Sequence, residues 1–180
     1  MKKILVCLSL FLLLAVGCTN TMNTPTKKVE ELLGKYQKMD STVLAQLDSV
    51  ISEDVNMSDE QKKEYRSLME KQYQNLSYKI KDETIDGDKA TVEAEIEVYD
   101  YKTSMDTSDR YLSEHNDEFL KEDKTVDNDK FMTYKLEALD KVKDKVTYTI
   151  NFSLTKDKDG KWKLDEISDT DRLKLHGLYS

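Results

Sequence analysis

The hydrophobic pattern of the chain changes period once, near Leu76, and that change most restricts the possible folds. Before Leu76, apolar residues recur every three or four positions, which is the spacing of amphipathic helices. From Leu76 onward, Tyr78 and Ile80 alternate with polar residues, and residues 90–98 and 146–154 continue the alternation. Strict alternation predicts antiparallel strands with one apolar and one polar face. The sequence therefore predicts helices first and then two β-hairpins.

The turn of the first hairpin is constrained by the faces that it must bring together. A two-residue loop over residues 86–87 would place Ile80 opposite Glu93, and so pair an apolar face with a charged one. A three-residue loop over residues 85–87 instead places Ile80 opposite Val92, with a glycine at the left-handed position. We therefore predict the three-residue loop.

Three helices are predicted before the strands, each with its own starting signal. Thr24 precedes a proline, which is a favourable helix entry, and a second helix starts at Asp40 or Ser41. Ser58 and Gln61 form a capping box at the start of the third. The stripe predicted to be buried on the second helix consists of Val43, Leu44, Leu47, Val50 and Ile51.

A polar insertion separates the two hairpins and contains two further helical candidates. One candidate includes Tyr111 and Phe119, and the other starts near Asp127. The pattern leaves open whether the segment 103–130 is ordered. The resulting prediction is an α+β domain, with N-terminal helices packed on one face of a curved antiparallel sheet and a helical insertion between the hairpins.

The first eighteen residues have the pattern of an export signal. Lys2 and Lys3 precede an apolar run from Ile4 to Val16, and Gly17-Cys18 follows. A bilayer span needs about 20 apolar residues, so this run is too short for a permanent transmembrane helix. We interpret it as a secretory signal peptide.

The segment Leu14-Ala15-Val16-Gly17-Cys18 resembles the lipobox of bacterial lipoproteins. The resemblance implies that the Cys18 thiol carries a diacylglyceryl group and that the signal is cut immediately before it. The alternative is an ordinary secreted protein that is cut near the same place. The predicted organisation is a signal peptide over 1–17, a lipidated cysteine and tether over 18–24, and one α+β domain over 25–180. Such a protein would be anchored by lipid to the extracytoplasmic face of the cell membrane.

Charge and cysteine content exclude several classes of function. The net charge of −8 argues against nucleic-acid binding, because phosphate contacts need a basic surface. Loss of Lys2 and Lys3 with the signal would change the net charge to −10, so lipid rather than surface charge would hold the domain to a membrane. The second cysteine, Cys7, lies inside the signal. No disulfide framework or cysteine-rich metal site is therefore expected.

The order of helices and strands, together with the stretch Asp159-Gly160-Lys161-Trp162-Lys163-Leu164, resembles the NTF2-like, cystatin-related domains of small Gram-positive lipoproteins. The resemblance implies a cone-shaped fold whose curved sheet encloses a concavity. Some NTF2-like enzymes place an acidic residue and hydroxyl donors in that concavity.

Three residues are candidates for such catalysis. Asp100 continues the inward parity of the second long strand, where desolvation would raise the pKa of its carboxyl. Tyr78 and Tyr148 share that parity and could donate hydrogen bonds to an oxyanion. The alternative is that Asp100 marks an exposed strand end and that the tyrosines fill the core. We favour the alternative and predict no catalytic residue.

Metal binding and hydrolysis have little support in the sequence. Residues 155–166 match several positions of a twelve-residue calcium loop, but strands rather than helices are predicted on both sides, so we predict a three-residue hairpin turn over 158–160. The acidic residues around Asp123 are interpreted as a solvated loop. His115 and His176 are interpreted as surface residues, since neither has a partner at metal-ligand spacing. No metal is predicted.

The functional prediction is a non-catalytic binding or interaction module of the cell envelope. Its partners would be the membrane, through the anchor, and an unidentified small ligand, peptide or envelope protein, with no nucleic acid. No cofactor is predicted apart from the diacylglycerol on Cys18. Two alternatives stay open: an NTF2-like enzyme built on Asp100, and a purely structural or stress-related envelope protein.

Overall fold

The computed structural model describes residues 23–180 and confirms an α+β fold. Within these residues the chain forms six helices and a four-stranded antiparallel sheet, and the helices pack on the sheet. In chain order the elements are α1 Pro25–Gln37, α2 Ser41–Glu53, α3 Asp59–Gln74, β1 Ser77–Asp86, β2 Lys89–Tyr99, α4 Tyr101–Glu114, a 3₁₀ turn Asn116–Phe119, α5 Asn128–Asp140, β3 Lys145–Lys156, β4 Trp162–Leu164 and α6 Asp169–Leu175. The predicted signal peptide, Cys18 and the first tether residues lie outside the described residues.

The sheet is a simple meander in the order β1-β2-β3-β4, which the sequence left open. Its apolar face is formed mainly by alternate residues of β2 and β3. Val92, Ile96 and Val98 of β2 are fully buried under the helices, and Ile150 of β3 continues the same face. The opposite face is polar, and Lys145 lies 3.1 Å from Glu97 across it. One covered face and one solvated face explain the strict alternation in the sequence.

The predicted register of the first hairpin is wrong. Ile80 pairs with Ala94 rather than Val92, and the loop is the two-residue turn Gly87-Asp88. A β-bulge between Ile80 and Asp82 inserts one extra residue, and beyond it Glu83 lies opposite Val92 and Ile85 lies opposite Ala90. Gly87 has a φ of +59°, which two-residue hairpin turns require at their first position. The prediction failed because it assumed unbroken pairing.

The predicted three-residue turn of the second hairpin is confirmed. The Asp157 amide donates to the Lys161 carbonyl, and the Gly160 amide donates back to the Asp157 carbonyl. Gly160 lies in the left-handed region with a φ of +73°. Trp162 returns to the apolar face and is buried there. The turn residues were sufficient to predict this hairpin, because the pairing of β3 with β4 has no shift of register.

The helix starts predicted from the sequence are all confirmed. Thr24, Asp40, Ser58 and Asp127 each accept a hydrogen bond from a backbone amide in the first turn of the following helix. The segment 103–130, whose order the sequence left open, contains most of α4 and the 3₁₀ turn. Its aromatic rings pack against those of α5, with the ring centroids of Tyr111 and Tyr134 5.1 Å apart. The insertion is thus a small packed subassembly beside the sheet.

Candidate ligand-binding cavity

A cavity of about 400 Å³ lies among α1, α2, α3 and α6. Small-molecule sites are commonly about 300–1,000 Å³, and most are lined by apolar and aromatic side chains with a few polar groups. This cavity matches that description in size and in composition. Its lining residues are Tyr36, Val43, Gln46, Leu47, Ser49, Val50, Tyr65, Met69, Tyr73, Arg172 and His176.

Helix α2 forms one wall of the cavity and leaves it open to solvent at one point. Val43 and Leu47 turn toward the core and are buried, but Val50 is 68% exposed at the mouth. The prediction that Val50 belongs to the buried stripe is therefore wrong, because α2 packs chiefly on α3 and the space beneath Val50 is empty rather than filled. Arg66 of α3 holds α2 in place through a 2.6 Å contact with Asp48.

Three tyrosines form the aromatic wall. The rings of Tyr36 and Tyr73 meet edge to face, with centroids 5.0 Å apart. Tyr65 lies one helical turn from Met69 on the same side of α3 and completes the wall. Edge-to-face packing fixes ring orientations, so this wall is rigid before any ligand arrives.

His176 lies at the inner end of the cavity and is not the surface residue that the sequence predicted. Its Nε2 atom lies 3.1 Å from the Tyr73 hydroxyl, and the two rings are in contact. Burial and, to a lesser extent, the nearby Arg172 guanidinium lower the pKa of His176 to about 4. The imidazole is therefore neutral at pH 7. Burial also raises the pKa of Tyr36, Tyr65 and Tyr73, so these hydroxyls stay protonated.

Arg172 is the charged residue among those that line the cavity. Its guanidinium contacts Glu166 at 3.0 Å and Asp169 at 3.1 Å. The side chains of Glu166 and Asp169 are 87% and 95% exposed, so both ion pairs lie in bulk solvent. Pairs of this kind contribute about 0–1 kcal/mol and exchange readily. The sequence analysis missed Arg172, since nothing local distinguishes it from any other surface arginine.

A buried amide connects the end of helix α6, which supplies Arg172, to the end of β2. The Gln72 side chain donates from Nε2 to the carbonyls of Tyr99 and His176, both at 2.9 Å, and accepts from the Tyr99 amide at 2.8 Å. Gly177 follows with a φ of +69° and lies against Tyr99 and Gln72 so closely that a side chain there would collide with both. This junction, formed by Gln72, Tyr99, His176 and Gly177, fixes the position of the cavity's inner end.

The three catalytic candidates do not form a catalytic arrangement. β2 ends at Tyr99, so Asp100 leaves the strand and becomes the N-cap of α4, where it accepts from the amide and hydroxyl of Thr103. The Tyr148 hydroxyl donates to the Tyr179 carbonyl at 2.7 Å. Burial raises the pKa of Tyr148, and the Asp100 carboxylate adds to the effect. Asp100 thus lies at the end of the strand, as in the favoured alternative, and does not continue the inward face, because the chain turns there.

Tyr78 shares a face of the sheet with Tyr148, as the alternation predicted. The register places Tyr78 opposite Ile96, and Ile96 opposite Tyr148. Both tyrosines lie at the edges of the apolar face and pack against the core. Neither is among the residues that line the cavity of α1, α2, α3 and α6.

A second cavity of about 340 Å³ lies between α4 and α5, and Asp100 forms part of its rim. Its polar groups are used locally. The hydroxyls of Thr107 and Ser108 donate to carbonyls one turn earlier in α4, and Asp100 caps the same helix. These three polar side chains are thus engaged within α4, and we assign no site here.

The segment that resembles a calcium loop is a hairpin turn. The Asp157 carboxylate accepts from the amides of Asp159 and Lys161 and contacts the Lys163 ammonium at 3.2 Å. These contacts lower the pKa of Asp157. Across residues 23–180, His, Cys, Asp and Glu side chains nowhere cluster in threes at a geometry that could hold a metal ion. Within the same residues, none of the helices combines the length and the apolar character that crossing a membrane requires.

Comparison with known proteins adds one distant structural match. No family model matches the sequence, and the search of curated proteins finds no match. Among solved structures, a crystal structure of ycdA from Bacillus subtilis, a protein assigned as a lipoprotein, aligns with a TM-score of 0.41 and 17% identity. The alignment covers 84% of this chain but 46% of that one, so this chain spans less than half the length of the matched protein. Similarity at this level assigns neither family nor function.

Proposed function

We propose that this chain is a lipid-anchored module on the extracytoplasmic face of the membrane that binds a small ligand without catalysing a reaction. The cavity among α1, α2, α3 and α6 is the proposed site. The observation that carries the proposal is the cavity itself: about 400 Å³, walled by tyrosines and aliphatic side chains, and open at Val50. Concave sites of this size, lined mainly by aromatic and apolar side chains with a few polar groups, are typical of small-molecule binding.

Binding is favoured over catalysis by the state of the polar groups. His176 is hydrogen-bonded to Tyr73 and neutral, and Asp100 is occupied as a helix cap in another part of the fold. A general base needs a lone pair directed at the substrate, and a pKa near the working pH. His176 has neither property, since its Nε2 already faces a hydroxyl and its pKa is about 4.

The anchor is the second part of the proposal. The lipobox-like segment that ends at Cys18 implies two acyl chains on one residue, and two chains suffice for stable membrane attachment. Kinship with NTF2-like, cystatin-related domains belongs to the proposal as well. A curved antiparallel sheet with helices on one face agrees with it.

The anchor is tested by the variant Cys18→Ala. In the bacterial host we expect the wild-type protein in the membrane fraction, with a diacylglyceryl-modified Cys18 at its new amino terminus by mass spectrometry. Cys18→Ala should abolish the modification and leave the protein either released or uncleaved. Cys7→Ala is the matched control, because Cys7 lies within the predicted signal and should leave anchoring unchanged. Normal cleavage and membrane attachment of Cys18→Ala would refute the anchor.

The cavity is tested with a neutral aromatic probe, 2-naphthamide. We expect saturable binding at one site per molecule, measured by titration calorimetry on the full-length protein in phosphatidylcholine nanodiscs, with empty nanodiscs subtracted. Val50→Trp places an indole at the mouth of the cavity and should weaken binding at least tenfold.

Val55→Trp is the control for that variant. Val55 lies just after α2, is 91% exposed and is not among the lining residues, so binding should be unchanged. If 2-naphthamide does not bind to the wild type, or binds equally to both tryptophan variants, the cavity is not a ligand site.

A further inference from the structure

The charge inside the cavity indicates what kind of ligand it takes. The domain as a whole is strongly acidic, with 36 acidic and 28 basic residues in the chain. The lining nevertheless has Arg172 as its charged member, while His176 is neutral and the tyrosines are protonated. A cation at the rim of an apolar pocket in an acidic protein is suited to an anionic group.

We propose that the cavity binds a small organic anion, with an apolar, ring-sized body against the tyrosines and one carboxylate-like group at Arg172. This inference rests on the proposed binding function and specifies its ligand. Tyr36, Tyr65 and Tyr73 supply flat apolar surfaces for the body, and Met69 adds an adaptable contact between them.

Arg172 is free to change partners when the anion arrives. Its present partners, Glu166 and Asp169, are almost fully solvated and lose little when released. A ligand carboxylate at the cavity rim would be partly shielded from water, where the same contact is stronger. The guanidinium fork also matches a carboxylate at two points, which a lysine would not. Replacing the solvated Glu166 and Asp169 carboxylates at Arg172 by a shielded ligand carboxylate therefore favours ligand binding.

The lining offers the anion no competing negative charge. Gln46 and Ser49 are the other polar residues that α2 contributes, and both are neutral. Asp48, which lies beside the lining residues on α2, contacts Arg66 instead, with 2.6 Å between Asp48 Oδ1 and Arg66 Nε. An anion at Arg172 can thus bind without a carboxylate beside it on the lining.

The test compares 2-naphthoate with 2-naphthamide, which share a body and differ in charge. In phosphatidylcholine nanodiscs at physiological salt, we expect the wild type to bind 2-naphthoate about tenfold more tightly, which corresponds to about 1.4 kcal/mol. Arg172→Gln should remove this preference, so that the affinities of the variant for 2-naphthoate and 2-naphthamide come within twofold of each other. Retained 2-naphthamide binding also shows that the variant is folded.

Arg110→Gln is the matched control, because Arg110 is an exposed arginine on α4 and does not line the cavity. It should keep the full preference for the anion. Equal wild-type affinities for the two probes, or a preference that survives Arg172→Gln, would overturn the anion inference while the cavity stands. Failure of both probes to bind would overturn the cavity and this inference together.

Discussion

Gly177→Ala is expected to lower the free energy of unfolding by about 2–5 kcal/mol. A Cβ at this position would lie 2.0 Å from the Tyr99 carbonyl oxygen and 2.4 Å from Gln72 Nε2. The carbonyl belongs to the backbone of β2 and cannot rotate aside. The left-handed φ of +69° adds about 1–2 kcal/mol, and overpacking typically adds about 1–3 kcal/mol. Urea unfolding followed by circular dichroism measures the loss.

Gly160→Ala is the control that separates conformation from collision. Gly160 has nearly the same backbone angle, with a φ of +73°, but no atom lies within 4 Å of the position that a Cβ would take. Its substitution should therefore cost only about 1–2 kcal/mol, from the backbone alone. Equal losses for the two alanine variants would show that the close approach of Gly177 to Tyr99 contributes nothing.

Gln72→Met is expected to cost about 3 kcal/mol. Methionine keeps the length of the side chain but removes the amide, so three hydrogen bonds to Tyr99 and His176 are lost in a fully buried position. A net loss of about 1 kcal/mol per bond is typical, and more where a buried group is left unpaired. We also expect faster hydrogen exchange at the Tyr99 amide, since that amide loses its acceptor.

Gln74→Met provides the comparison on the same helix. Gln74 is exposed on the last turn of α3, and its substitution should change the unfolding free energy by less than about 0.5 kcal/mol. Coincident urea midpoints for the two methionine variants would contradict a stabilising role for the buried amide.

Much of the fold follows from local sequence signals. The change of period at Leu76, the capping box at Ser58 and the turn that ends at Gly160 each encode structure within a few residues. Such signals need no knowledge of distant parts of the chain, and the structure confirms them. The α+β class follows in turn, since amphipathic helices and half-apolar strands can bury their faces only against each other.

The features that the sequence could not predict depend on contacts between distant segments. The bulge after Ile80 shifts the pairing of β1 with β2 partway along the two strands, whereas the alternation alone suggested continuous pairing. Asp100 kept the inward parity of the strand, but the chain had already turned into α4. Alternation predicts which way a side chain faces only within a strand, and neither glycine nor proline marks the end of β2.

The cavity was also beyond local reasoning. Val50 fits the apolar stripe of α2 as well as Leu47 does, but it lies at the cavity and stays exposed. His176 and Arg172 line the same cavity from α6, a segment far along the chain whose end is hydrogen-bonded to Gln72. A buried glutamine in an otherwise apolar helical stripe was the available hint that a backbone group elsewhere needed a partner.

Asn23 has a consequence for how the domain would sit on a membrane. Its side chain accepts a hydrogen bond from the Trp162 amide at 2.7 Å and donates one to the Trp162 carbonyl. These two bonds attach the chain to strand β4 before α1 begins. With a lipid on Cys18, the chain from Cys18 to Asn23 would connect the bilayer to the hydrogen bonds at Trp162. These five residue steps span at most about 18 Å when fully extended. A domain of this size has a radius of gyration of about 15 Å. With that lipid, the β4 edge would be the part of the domain that is kept near the bilayer.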